Sequence, residues 1–288
     1  MTKKILMVLS EWGYWGEELI GPLEASDAVG YKITFLTPTG KKPTPLTVSM
    51  QPGYIDPPLG RSVTSEEMAQ KTRQVHESER LAHPTSLENW FPLRPYPSST
   101  TYLRDMEAYY SKIDRIVNKE LVNYDALVIV GGSGALVDLA NNPRLHELIL
   151  GFYKLNKPIV AECYGVSCLA FARDFRDKES IIWGKHITGH PIDYDYLDGT
   201  GFEGPHGVDG SNSGFGNGFI NFGSAFYPLE FILRDAVGSE GKYIGRVGHE
   251  TSVVVDYPFI TSRSTASSLE CGEKLIEVLE KGLTRYNW

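Results

Sequence analysis

The chain alternates short unbroken apolar runs with longer stretches in which apolar residues recur every three or four positions. Residues 5–9 and 126–130 are runs of the first kind, suited to strands buried on both faces of a parallel sheet. Helical spacing over 17–29, ended by Gly30, and a strand over 31–36, ended by Thr37 and Pro38, make up a β-α-β unit. The pattern resumes at Asp125, with a strand over 126–130, a tight loop over 131–134 and a helix over 136–155. A strand over 158–161 and a helix over 165–173 follow. A short strand over 185–188, a helix over 228–237, strands over 252–255 and 259–261, and a helix over 267–283 complete the chain. Such alternation predicts an α/β fold with a mostly parallel central sheet flanked by helices.

Two segments break the rhythm. Residues 41–60 and 84–99 are rich in Pro and polar residues, and helical patterns run over 64–81 and 103–122. Residues 40–102 read as a cap-like insertion in a single domain over 1–288, with the helix from Leu103 returning the chain to the sheet. Residues 194–223 form a Gly- and aromatic-rich loop. Loops of that length are usually functional or disordered, and its aromatics favour order near a site.

Composition narrows the function. With 288 residues, 41% hydrophobic and 22% charged, the chain can bury a core without disulfides or metals. Its net charge of −8 argues against nucleic acid or an anionic membrane as partner, since both prefer a basic surface. No apolar run nears the ~20 residues of a membrane span, and the first run is too short for a secretion signal. The three cysteines, Cys163, Cys168 and Cys271, are too few and scattered for a disulfide framework. These features point to a cytoplasmic protein, and the odd cysteine count leaves a reactive thiol in play.

Open α/β sheets bind ligands at the carboxyl ends of their strands, so chemistry is sought there. The strand over 158–161 leads into Ala161, Glu162, Cys163, Tyr164 and Gly165, with small residues two before and two after the cysteine. That is the pattern of a nucleophile elbow with Cys in place of Ser, the central residue held in a strained conformation. The N-terminus of the next helix would favour thiolate and lower the thiol pKa. The alternative is an inert buried cysteine; Cys168 and Cys271, inside helices, read that way. Gly131, Gly132, Ser133, Gly134 and Ala135 form a competing elbow with Ser133 as nucleophile. The preferred reading is a loop whose backbone N–H at Gly132 joins that of Tyr164 as an oxyanion donor. Glu17 and Glu18 begin the first helix at the same sheet edge, where acids are also favoured by the helix dipole, and at most one should enter the pocket. His190, between Gly189 and Pro191 after a strand, is a candidate at the site mouth or an ordinary turn histidine. His206 and His249 are weaker, and His76 and His83 lie in the insertion. No convergent metal-ligand spacing and no complete phosphate or dinucleotide motif is present, so neither metal nor cofactor is expected.

These residues resemble the ThiJ/PfpI superfamily (DJ-one type) of the class I glutamine-amidotransferase-like fold. The carrying segments are 15–22, 125–134 and 161–165, with 260–270 matching the family's last strand and helix. The resemblance implies a flavodoxin-like sandwich, a cytoplasmic homodimer and a small-molecule substrate. It implies that Glu18, four residues before Pro22, contacts the Cys163 sulfur as a protonated carboxyl with a raised pKa. It also places His190 at the position of a histidine that some relatives use. Many members carry histidine after the cysteine; here Tyr164 stands there, a poor base at neutral pH. The adjacent-histidine triad is therefore missing, which weakens a protease or amidase reading. The glutathione-independent glyoxalase branch, with Glu, Cys and a later His, fits better. There a thiolate adds to a 2-oxoaldehyde and a 2-hydroxy acid is released. The alternatives are a specialised cysteine hydratase or hydrolase of the isonitrile-hydratase type, a redox-sensing or chaperone-like protein whose cysteine oxidises, and a hydrolase using Ser133.

Overall fold

A computed structural model describes residues 2–56, 58–174, 178–195 and 228–288, together with the backbone of 202–203 and 219–220. One eight-stranded sheet organises the chain. In chain order its strands are β1 (Lys4–Val8), β2 (Lys32–Thr37), β3 (Thr85–Ser86), β4 (Ala126–Ile129), β5 (Ile159–Glu162), β6 (Val253–Asp256), β7 (Phe259–Ser262) and β8 (Arg285–Tyr286). Across the sheet they run β8-β6-β7-β5-β4-β1-β2-β3. The pairs from β7 through to β3 are parallel; β6 is antiparallel to both β7 and β8. The fold is thus α/β with a mostly parallel sheet between helical layers.

The unbroken apolar runs follow from this layering. Ile5, Met7 and Leu9 face one layer, with Leu19 and Leu23 of helix Gly16–Ala28 and Leu275 and Val278 of helix Ser268–Lys281. Leu6 and Val8 face the other, with Leu145, Leu148 and Phe152 of helix Pro143–Lys154 and Ile113 and Ile116 of helix Tyr102–Lys119. Each fully buried Leu, Ile or Phe contributes about 1.5–3 kcal/mol, so both strand faces must be apolar.

The single helix expected over 136–155 is two helices, Ala135–Asp138 and Pro143–Lys154. Asn142 caps the second, its side chain accepting from Arg144 N at 3.0 Å and Leu145 N at 3.2 Å, and Pro143 fills the first turn, where no N–H is needed. The helix expected from Gly165 begins earlier, as a tight 3₁₀ turn over Cys163–Val166 that continues as an α-helix only over Ser167–Phe171. Within 40–102 lie a small hairpin, Ile55–Asp56 with Arg61–Ser62, the helix Glu66–Glu77, and β3, which pairs with β2 at the sheet edge. Strands of two residues carry no periodicity, so these were not foreseen. Of 194–223, Tyr194 and Asp195 are described, and residues 202–203 pair antiparallel with 219–220. The remainder, including His206, lies outside the described residues. Among the described residues no helix is long and apolar enough to cross a membrane.

Candidate active site

The carboxyl ends of β1, β4, β5 and β7 converge on one cavity of about 130 Å³, the place where an open α/β sheet presents its ligand site. Cys163 follows β5 directly and holds a φ of 50°, the left-handed region that a residue with a side chain enters only when its surroundings enforce it. Its side chain is turned out of the strand into the cavity, although the residue is only 6% exposed. The backbone N–H groups of Gly132 and Tyr164 lie near its sulfur and favour its ionised form.

Glu18 comes from the first turn of helix Gly16–Ala28 and is 1% exposed. Its carboxyl rests against the Cys163 thiol and the N–H of Gly132, and burial raises its pKa to about 8, so at neutral pH it is a carboxylic acid. Pro22, inside the same helix, has no N–H to offer the Glu18 carbonyl. Gly131 makes the meeting of acid and thiol possible. A Cβ there would overlap Glu18 Oε2 and the Glu162 carbonyl and lie 2.9 Å from Cys163 Cβ. Glu17 points elsewhere and accepts a hydrogen bond from Thr265 Oγ1.

His190 closes the other side of the sulfur, with Nδ1 3.4 Å from Cys163 Sγ. Its Nε2 lies 3.2 Å from Asp195 Oδ1. The same oxygen accepts the hydroxyl of Tyr164 at 2.8 Å, and the Tyr164 ring stacks on the imidazole with centroids 4.2 Å apart and planes at 25°. A Cys–His–Asp constellation therefore exists here without a histidine beside the cysteine. Asp195 escaped the sequence reading because no motif spacing marks it. A turn over Ile192–Tyr194, closed by Asp195 N donating to the Ile192 carbonyl, folds it back onto the ring.

The thiol departs from expectation. Burial, reinforced by the neighbouring Glu18, pushes Cys163 well up rather than down. The N-terminal helix effect that was to lower it comes only from a 3₁₀ turn and a five-residue helix, and desolvation outweighs it. An isolated thiol here stays protonated, and His190 Nδ1 is the group placed to take its proton. Glu162, next to Cys163 but facing the opposite layer, is fully buried and its pKa is also raised by burial. Ser262 Oγ donates to it at 2.8 Å and Ser268 Oγ at 3.4 Å. One acid ending an otherwise apolar strand was its only signal in sequence.

Ser133 lines the same cavity, but among the described residues neither a histidine nor a carboxylate bonds to its hydroxyl. Cys168 and Cys271 are fully buried in helices. His76, His83 and His249 do not line the cavity; His249 lends its carbonyl to Arg263, which does. Among the described residues no group of three or more metal-ligating side chains comes together.

A family model described as ThiJ/PfpI family-like matches residues 9–183. Glutamine amidotransferase-like class 1 domain-containing protein 1 of Bos taurus is 32% identical over 107 residues, 36% of this chain and 47% of that protein. The match thus spans about half the length of that curated relative. Rapid Encystment Protein 24 KDa of Francisella tularensis superposes with a TM-score of 0.62 at 18% identity, covering 96% of this chain and 99% of that one. Glyoxalase III from Candida albicans does so with a TM-score of 0.60 at 17% identity, covering 97% and 98%. At these identities the solved structures share the fold. With the family model covering more than half of its residues, the chain belongs to the ThiJ/PfpI-like family.

Proposed function

We propose that the protein is a cysteine-dependent enzyme of small reactive carbonyl compounds that converts a 2-oxoaldehyde to a 2-hydroxy acid without glutathione. The observation that carries this reading is the setting of Cys163 Sγ between a proton acceptor, His190 Nδ1 at 3.4 Å, and a neutral carboxylic acid, Glu18. Hydrolysis needs only the first of these; moving a proton between two carbons needs a second acid–base group on the substrate. The cavity of about 130 Å³ suits a molecule of a few heavy atoms better than a peptide.

In this scheme His190 takes the thiol proton and the sulfur adds to the aldehyde carbon. The carbonyl oxygen gains the Glu18 proton, assisted by the N–H groups of Gly132 and Tyr164, which gives a hemithioacetal. Glu18, now a carboxylate, removes the hydrogen from that carbon and returns it to the neighbouring one. The neighbouring oxygen takes the proton that His190 received from the thiol, and the hydroxyl proton on the first oxygen returns to Glu18, so that a thioester forms and both groups are reset. One carbon is oxidised and the next reduced, so no external oxidant enters. The resulting thioester is hydrolysed by water, deprotonated by His190, and the 2-hydroxy acid leaves as the thiol is restored. The test is incubation with methylglyoxal and assay of lactate. Formation that is lost in Cys163→Ala supports the reading. Absence of lactate, with hydration of isonitriles or nitriles instead, favours a hydratase of the same site.

A further inference from the structure

Tyr164 occupies the position that would otherwise make the triad, and its contacts give it another task. Its hydroxyl donates to Asp195 Oδ1 at 2.8 Å, and its ring lies on the face of His190. Asp195 Oδ1 is 3.2 Å from His190 Nε2, while among the described residues Nε2 makes no formed hydrogen bond and Asp195 Oδ2 has no partner. The carboxylate is therefore held by the tyrosine, not by the histidine, at a distance from which it can pair with the ring once the ring is charged.

We propose that Tyr164 is a positioning residue that fixes Asp195 opposite His190, so that the proton leaving Cys163 produces a thiolate–imidazolium pair with its counter-charge already in place. When Nδ1 accepts the thiol proton the ring gains charge while Nε2–H faces Oδ1, and an ionised pair of this kind is stronger than a neutral hydrogen bond. The cost of ionising a buried thiol falls accordingly, because the alternative is a thiolate and an imidazolium with no third partner. The stacked ring adds its π-face to the cation, a contribution that phenylalanine retains. Of the other ionisable groups facing this cluster, Glu18 bears on the sulfur, Tyr243 lies near enough to feel the Asp195 charge, and Arg263 sits over the ring of Tyr194, which stands edge-on to His190; Asp56, Arg61 and Glu250 line the same cavity.

The inference rests on Cys163 as nucleophile but not on the choice of substrate, so the test uses alkylation rather than turnover. The rate at which iodoacetamide modifies Cys163, followed by intact mass and peptide mapping across a pH series, reads the population of the ion pair. Tyr164→Phe, which keeps the ring, is expected to slow alkylation at neutral pH about tenfold, the worth of one hydrogen bond to a charged group, and to move the onset of reactivity to higher pH. Asp195→Asn is expected to do the same, and the double variant to lose no more than the larger single loss. A wild-type pH profile in Tyr164→Phe, or losses that multiply in the double variant, overturns the proposal. Failure of methylglyoxal turnover in the wild type leaves this result unaffected and counts only against the substrate assignment.

Discussion

At the scale of single residues, Glu18 links the chemistry to stability. Its folded pKa of about 8 stands above the ordinary 4.5, so the folded chain binds this proton more tightly than the unfolded chain does. The stabilisation is complete below about pH 4.5 and is lost as pH rises through about 8, amounting to at most a few kcal/mol. Glu18→Gln is expected to lose that part of the slope, so its urea midpoint should gain on that of the wild type between about pH 5 and pH 8. Parallel curves would show that the carboxyl is ionised in the folded chain. Among the three cysteines, Cys163 lines the cavity while Cys168 and Cys271 are sealed. Iodoacetamide should modify Cys163 first in the native protein, and equal labelling by peptide mapping would contradict the elbow geometry. Glu18 and Cys163 were legible because helix-start and strand-end positions mark them. Asp195 and Glu162 were not, since one depends on a turn that only folding creates and the other on which of the two helical layers a strand residue faces.

At the scale of elements, the strand–turn–helix junctions carry the site, and their closeness limits what they tolerate. Gly131→Ala would drive a methyl into Glu18 Oε2 and the Cys163 side chain. It should cost about 1–3 kcal/mol by overpacking and, by separating acid from sulfur, remove most activity; urea denaturation and turnover measure the two effects. Full activity in this variant would mean that acid–thiol contact is dispensable. The central strands could be read from sequence because burial between two layers forces continuous apolar runs. The edge pieces could not: β3 and β8 are two residues each, and their pairing is decided by neighbours far along the chain. Pro143 divides a continuous apolar periodicity into two helices, a case where a start signal inside the pattern outweighs the pattern.

At the scale of the molecule, the segment over 40–102 completes the pocket that the sheet begins. Asp56, Leu59, Arg61, Ser62 and Val63, all from the small hairpin and its flanks, share the cavity wall with Cys163. That segment was visible in sequence as an interruption, but nothing in its Pro-rich pattern said which face it would cover. If it sets the size of the substrate, Leu59→Trp should raise KM for a bulky 2-oxoaldehyde by roughly tenfold while leaving iodoacetamide alkylation of Cys163 near wild type. Unchanged KM would place the substrate away from the hairpin. The most direct measurement remains lactate produced from methylglyoxal, without added thiol, by the wild type and by Cys163→Ala. Production by the wild type alone is the expected result; production by both, or by neither while Cys163 is intact and reactive, would contradict it.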